Sequence, residues 1–330
     1  MAAEKPATAQ IEHWVSLVGT IAAPVTVVGA VLFYFGYVSS AAEYAYFGIN
    51  VDIIGLSTQD YIMRSPQTLL APLLALTLVS ATFLTLNAPV RTRITRAVEY
   101  VAEIAVPGVS RVQRISRIIQ ASRISGTVLL AVGVVMLFSY PYMRDWALYG
   151  LVTPLLIGIG AAVVAYASHI LSLLRRLQRN QRRPAGQESG IASPVYEETG
   201  GALLARRTAG VFVYVMIAVS IFWINATVAQ WSGRGLAEYA ALHFDALPSV
   251  ILDTKEQLFL RDPSSIVTVS QLPPSQGQTF HYRYRGLRLL IMGQGRMFLA
   301  PAQWDPSDSA LIVPLDGSAR AQFQFENQPP

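Results

Sequence analysis

The sequence predicts an α-helical transmembrane bundle of five spans followed by a small, mostly-β extracytoplasmic domain. Three observations carry that expectation. First, residues 13–42, 65–90, 124–143, 146–174 and 208–233 hold no Asp, Glu, Lys or Arg over runs of 20 residues or more. A helix crossing a bilayer core about 30 Å thick needs about 20 apolar residues, and no soluble core of this size needs five such segments. Second, the segments that join them are rich in arginine. Third, after Gly233 the composition changes to short alternating runs punctuated by Pro and Gly. Hydrophobic residues make up 52% of the chain and charged residues 14%, whereas an ordinary soluble domain carries about 25% charged residues.

In chain order, residues 1–12 are expected in the cytoplasm. They lack the basic n-region of a signal peptide. A five-helix domain follows over 13–233, with spans at about 14–38, 67–88, 124–141, 148–173 and 208–231. Pro24 should kink the first span or free the Thr20 carbonyl, and Gly19, Ala23 and Gly29 offer a close-packing face. The connection at 41–64 carries Tyr44, Phe47, Ile49, Val51, Ile54 and Tyr61. So many apolar residues should not face water alone, and a docking surface between this loop and the tail is expected. Within it, Ser57 has the position of a helix N-cap, with Asp60 at N3. Gly158, Gly160, Ala161, Ala162 and Ala165 let the fourth span approach another helix closely, inside the bundle or in a homo-oligomer. Asn225 is placed to hydrogen-bond across helices. Gly233 and Gly235 predict a short flexible link, with a helix over 236–244 leading into the tail.

Charge sets the orientation. The basic loops 89–123 and 175–207 hold seven arginines each, while the other two connections hold only Arg64 and Arg144. Positive charge is retained on the cytoplasmic side, so the tail, 234–330, is expected outside a plasma membrane. The spacing of Arg111, Arg114, Arg117 and Arg123 resembles a voltage-sensor helix. Such a helix requires acidic partners in neighbouring spans, and the spans contain none. The same residues make a basic amphipathic helix suited to anionic inner-leaflet lipid. Arg175, Arg176 and Arg179 read as a second lipid-surface anchor extending the fourth span. Nucleic acid is a poor partner, because no binding module accompanies these charges.

The tail balances eight Lys and Arg against nine Asp and Glu. Strands are expected at 249–252, 256–260, 266–269, 279–290, 297–300, 311–313 and 319–325, each bounded by turn signals. Gly293, Gln294 and Gly295 suit a hairpin turn, and Asp316 with Gly317 suits another. The expected product is an antiparallel barrel or sandwich of about 80 residues, a size with a modest core of its own. Alternation puts Phe280, Tyr282 and Tyr284 on one strand face and His281, Arg283 and Arg285 on the other. Arg283, Arg285, Tyr282, Tyr284 and Trp304 form the candidate ligand face, for an anion or a carbohydrate. The plainer reading is a solvated strand face guarded by charge.

Several chemistries are absent from the sequence. The chain has no cysteine, which removes thiolate nucleophiles and Cys-ligated metals. It has no HExxH, GxSxG, P-loop or dinucleotide fingerprint. No span carries an ionisable residue at its centre, where coupled transporters place one; His13 and His169 lie near span ends. His243, Asp245 and His281 share the outward tail and could form a metal or acid–base site; the plainer reading is that scattered His and Asp on a small domain are surface residues. No enzyme activity, cofactor or metal is expected. The reading is a non-enzymatic scaffold or sensor whose outward β domain binds an envelope component or a membrane-protein partner. The alternative is a subunit of an oligomeric channel or transporter lined by Thr77, Ser80, Thr82 and Thr85.

Two phrases carry a family resemblance. One joins Tyr46, Phe47 and Gly48 with Gly55, Leu56, Ser57, Thr58, Gln59, Asp60 and Tyr61. The other runs from Tyr282 through Arg283, Tyr284, Arg285, Gly286, Leu287, Arg288, Leu289 and Leu290 to Phe298, Leu299, Ala300, Pro301 and Trp304. Together they resemble uncharacterised multi-pass membrane proteins of actinobacteria. The resemblance implies a bacterial plasma membrane, and it brings no activity or site residues with it.

Overall fold

A computed structural model describes residues 7–103, 109–143, 145–181, 200–260 and 266–324. Its helices are α1 (Ala7–Tyr46), α2 (Val51–Ile54), α3 (Thr58–Glu103), α4 (Val109–Phe138), α5 (Tyr140–Met143), α6 (Tyr149–Gln181) and α7 (Gly200–Leu242). A 3-10 turn, Phe244–Ala246, leads to six strands: β1 (Ser249–Thr254), β2 (Thr268–Gln271), β3 (Tyr282–Gly293), β4 (Arg296–Pro301), β5 (Leu311–Pro314) and β6 (Ala319–Gln324). Among the described residues, five helical segments are long and apolar enough to cross a membrane: Ala23–Tyr46, Thr58–Pro89, Ser116–Phe138, Tyr149–Ser172 and Thr208–Leu242. The chain divides into two compact units, Met1–Ala71 with Val228–Pro330, and Pro72–Thr227.

Within Pro72–Thr227, glycine sets the helix contacts. A Cβ on Gly160 of α6 would lie 2.7 Å from the Leu130 nitrogen and 2.9 Å from the Gly126 carbonyl oxygen of α4. Gly133 of α4 meets Ile157 in the same way. Gly158 meets Ser220 of α7, and Gly150 meets Thr227, whose hydroxyl donates to the Gly150 carbonyl at 2.9 Å. The small residues of the fourth span are therefore used at least partly inside the chain. Another cross-helix polar contact is Tyr166 of α6 donating to Asn87 Oδ1 of α3 at 2.9 Å, with Phe83 edge-on to the Tyr166 ring. Asn225, expected in that role, instead donates to the Ile221 carbonyl of its own helix at 2.7 Å. A short polar side chain reaches the carbonyl one turn back more readily than a neighbouring helix.

One further expectation is corrected by helix continuity. The flexible link at Gly233 and Gly235 is instead helix: α7 runs through both to Leu242. Gly233 is there because a Cβ would overlap the Ser39 carbonyl of α1. The basic turns that carry Arg111, Arg114, Arg117 and Arg123 are continuous with the third span, because α4 is one element from Val109 to Phe138. Pro107 and Gly108, a pair of the kind that separates helices, lie outside the described residues. Pro24 sits inside α1 without ending it.

The other unit, Met1–Ala71 with Val228–Pro330, joins helix ends to the sheet. Ser57 and Asp60 form the expected reciprocal cap: Asp60 N donates to Ser57 Oγ at 3.2 Å, and Ser57 N donates to Asp60 Oδ2 at 2.8 Å. Asn50 caps α2 by accepting from Asp52 N at 3.0 Å. Arg64, the lone cation of its connection, lies in α3 and donates to Glu43 at 3.0 Å and Tyr44 Oη at 2.9 Å.

The sheet is antiparallel throughout, in the order β5-β4-β3-β1-β6, with β2 also paired to β3. β3 is the organising strand. Its first half pairs with β2 and its second half with β4, on one and the same edge. Gly286, at φ 83°, sits where the partner changes, and a Cβ there would lie 2.6 Å from the Ile266 carbonyl oxygen. The β3–β4 hairpin turns through Gln294 (φ 45°) and Gly295 (φ 70°), the left-handed pair that a two-residue hairpin requires. Residues 256–260 are not the expected strand. The Tyr284 hydroxyl holds this segment instead, accepting from Leu258 N and donating to the Leu258 carbonyl.

Two hydrophobic cores flank β4. Met297 and Leu299 point into one with Val250, Leu252, Tyr284, Leu287 and Val313. Phe298 and Ala300 point into the other with Tyr44, Phe47, Ile49, Val51, Ile54, Tyr61, Ala237 and Phe244. A strand buried on both faces reads as a continuous apolar run, which is how Met297, Phe298, Leu299 and Ala300 read. The second core is the expected docking of the 41–64 connection onto the tail.

Candidate functional site

The sheet carries one face with two characters. Ser249, Arg288 and Ala300 are direct partners across β1, β3 and β4. Directly paired residues share a face, so this row belongs to the face that Phe298 and Ala300 dock onto the helix ends. Two residues along β1 lies Ile251, and two further lies Asp253, on that same face. Asp253 pairs directly with Arg283 of β3 on one side and Arg320 of β6 on the other. The apolar end of the face is covered, and the basic end is open.

The Asp253 carboxylate is fully buried. Arg283 donates to it from Nε at 2.7 Å and from Nη2 at 3.0 Å, and Arg320 donates from Nη2 at 2.7 Å. The guanidinium of Arg320 also lies over the Phe280 ring, 5.1 Å from its centroid. The Arg283 hydrogen bonds hold the Asp253 carboxyl below the usual carboxylate range; burial opposes this, and Arg320 adds to it. The same bonds raise Arg283 further above its ordinary value. The carboxylate thus fixes two guanidiniums side by side. Arg320 remains half exposed, at 51% of its side chain, and gives only one Nη2 contact to the pair. Arg285 lies beyond Arg283 on β3, exposed, where its partner on β2 is Thr268. Lys255 and His281 are exposed at the other end, with His281 Nδ1 3.1 Å from the Lys255 carbonyl oxygen.

The five residues of the expected ligand face do not share a surface. Arg283 and Arg285 lie on the open face. Tyr282 and Tyr284 alternate to the opposite face and pack in the core of β1, β3 and β4. Trp304 packs against Phe47, 5.4 Å between centroids, and stacks on Phe244 at 6.3 Å. Phe280 precedes the strand and departs from the alternation, which brings it under Arg320. Arg320 and Asp253 were missed because nothing in their sequence neighbours marks them. Only the pairing of β1 with β6 brings them to Arg283.

Arg117 and Arg123 are exposed on α4. Arg111 and Arg114 lie on the same helix, and Arg175, Arg176 and Arg179 on α6; these five side chains fall outside the described residues. The hydroxyls of Thr77, Thr82 and Thr85 donate to carbonyls of α3 itself. Among the described residues no three His, Asp or Glu side chains converge as metal ligands, and His243 turns its Nδ1 to the Tyr239 carbonyl at 2.9 Å. A cleft of about 710 Å³ between α1 and α7 is lined by Tyr37, Ala41, Ala45, Tyr46, Trp231 and Arg234 among others.

Comparison with known proteins gave no match to a family model, a curated protein or a solved structure.

Proposed function

We propose that this chain is a multi-pass protein of a bacterial plasma membrane, acting as a non-enzymatic scaffold or sensor. Its N-terminus lies in the cytoplasm and its β domain outside, where that domain binds an envelope component or a partner protein. The basic turns of α4 and α6 meet anionic lipid at the inner leaflet. The observation that carries the reading is the core shared by Phe47, Phe244, Phe298 and Trp304. It fastens the sheet to the ends of α1 and α7 without a loose tether, so a load or ligand on the sheet is felt at the helix ends. A flexible linker would favour independent binding; a packed junction favours transmission.

The test uses the absence of cysteine. Ser307→Cys in the tail and Ser189→Cys between α6 and α7 are labelled separately in intact cells with a membrane-impermeant maleimide. Labelling of the first alone, with the second labelled only after lysis, supports the orientation. The reverse pattern overturns it. Native mass spectrometry of the solubilised protein then separates the roles: a retained partner supports the scaffold, and a closed ring of identical copies supports the channel alternative.

A further inference from the structure

We propose that the open end of the sheet face binds an extended polyanion, a polymer with repeating phosphate or carboxylate groups. The inference rests on the outward placement of the β domain and names the class of envelope component it would take. Three observations support it. The Asp253 carboxylate is buried and already saturated by Arg283 and Arg320; it orients two guanidiniums without cancelling both. Arg320 keeps Nε and Nη1 clear of the pair, half its side chain is exposed, and the Phe280 ring supports its plane. A preorganised guanidinium fork is the group best matched to phosphate and carboxylate oxygens.

The third observation is spacing. Arg283 and Arg285 are two residues apart on β3, about 7 Å along the strand, while the Arg320 guanidinium, from two strands away, meets that of Arg283 at the same Asp253 oxygen. Cations at such intervals engage successive anions of one chain and gain from multivalency. A single small anion seated at the Arg283–Arg320 pair would leave Arg285, one strand repeat away, unused. Among nearby acids, Asp316 lies close enough to Lys255 to feel its charge, so Lys255 is discounted. Asp253 is the acid inside the row. Three arginines against one carboxylate leave the patch net positive. Neighbouring positions on the face are Ser270 and Thr268, paired with Arg283 and Arg285, and Gln322, two residues on from Arg320. These are donors suited to sugar hydroxyls and phosphate oxygens.

The experiment uses the full chain in phosphatidylcholine nanodiscs, with both faces accessible, titrated with poly(glycerol phosphate). Parallel arms use glycerol 3-phosphate and phosphatidylglycerol vesicles. The expected result is polymer binding that weakens with salt and exceeds the monomer's on a per-phosphate basis. Arg320→Gln or Arg285→Gln should weaken it roughly fivefold each and the double variant more than tenfold, with Arg234→Gln unchanged. Equal binding of polymer and monomer phosphate, or a double variant that binds like the parent, would overturn the proposal. So would vesicles that outcompete the polymer. These outcomes leave the membrane orientation intact. Binding in nanodiscs with inward labelling of Ser307→Cys would instead keep the site and overturn the orientation.

Discussion

Gly233 of α7 lies against Ser39 of α1 so closely that a Cβ on the glycine would overlap the serine carbonyl. Two residues on, Gly235 has no neighbour within 4 Å of where its Cβ would stand. The two glycines in one helix thus have opposite requirements. Gly233→Ala should lower stability by about 3 kcal/mol, the upper range for forcing volume into a packed contact. Gly235→Ala should be neutral or raise it by up to about 1 kcal/mol, because alanine is the better helix former. Thermal unfolding of both variants in detergent checks this. Matching effects would mean that the glycines serve as a hinge.

Trp304 fastens the sheet through Phe47 and Phe244. Trp304→Ala should remove about 3 kcal/mol and open the junction between the 41–64 connection and the tail. Trp304→Phe keeps the ring contacts and should lose far less. Limited proteolysis of the two variants, followed by mass spectrometry, reports whether cleavage appears in 41–57 and 302–310.

Asp253 gives the β domain a defined acid response. Its folded pKa lies below its unfolded value, so its stabilisation is present above the ordinary carboxylate range near 3.9. It is lost as pH falls through the lower folded value. Asp253→Asn should be destabilised by about 3 kcal/mol at neutral pH, since a buried ion-pair partner is lost. The difference from the parent should hold from pH 7 to about pH 5 and close below pH 4. Hydrogen exchange of the sheet across that range measures the difference directly. A gap that persists into strong acid would show that the side chain acts through packing.

Tyr284 is fully buried, and its hydroxyl is the clasp on residues 256–260. Tyr284→Phe should cost about 1 kcal/mol while leaving the strand pairing intact. The expected signature is faster exchange at the Leu258 amide, with the amides of β1 and β3 unchanged.

The helices were legible because apolar length is a property of contiguous sequence. Ser57 with Asp60, and Gln294 with Gly295, were legible for the same reason, since a cap and a tight turn are complete within four residues. Gly233 was misread because glycine in isolation signals freedom, while its actual requirement is set by Ser39, far away in the chain. Residues 256–260 have a strand-like composition but no strand to pair with, and a phenolic hydroxyl from β3 takes that place. The candidate site was half legible. Arg283 and Arg285 announce themselves in one strand, whereas Asp253 and Arg320 enter only through cross-strand register. Tyr282, Tyr284 and Trp304 looked available because aromatics near arginines suggest recognition; the structure uses them as core.

The core around Phe47 and Phe298 also imposes an order on biosynthesis. Tyr44, Phe47, Ile49 and Ile54 leave the ribosome early, and their partners Phe244, Phe298 and Ala300 follow some two hundred residues later. At roughly 5–20 residues per second, the early segment waits tens of seconds or less with its apolar side chains uncovered. Contacts so distant in sequence form slowly. A stall or truncation before Phe298 would leave all five apolar helices complete but the Phe47 cluster without its partners.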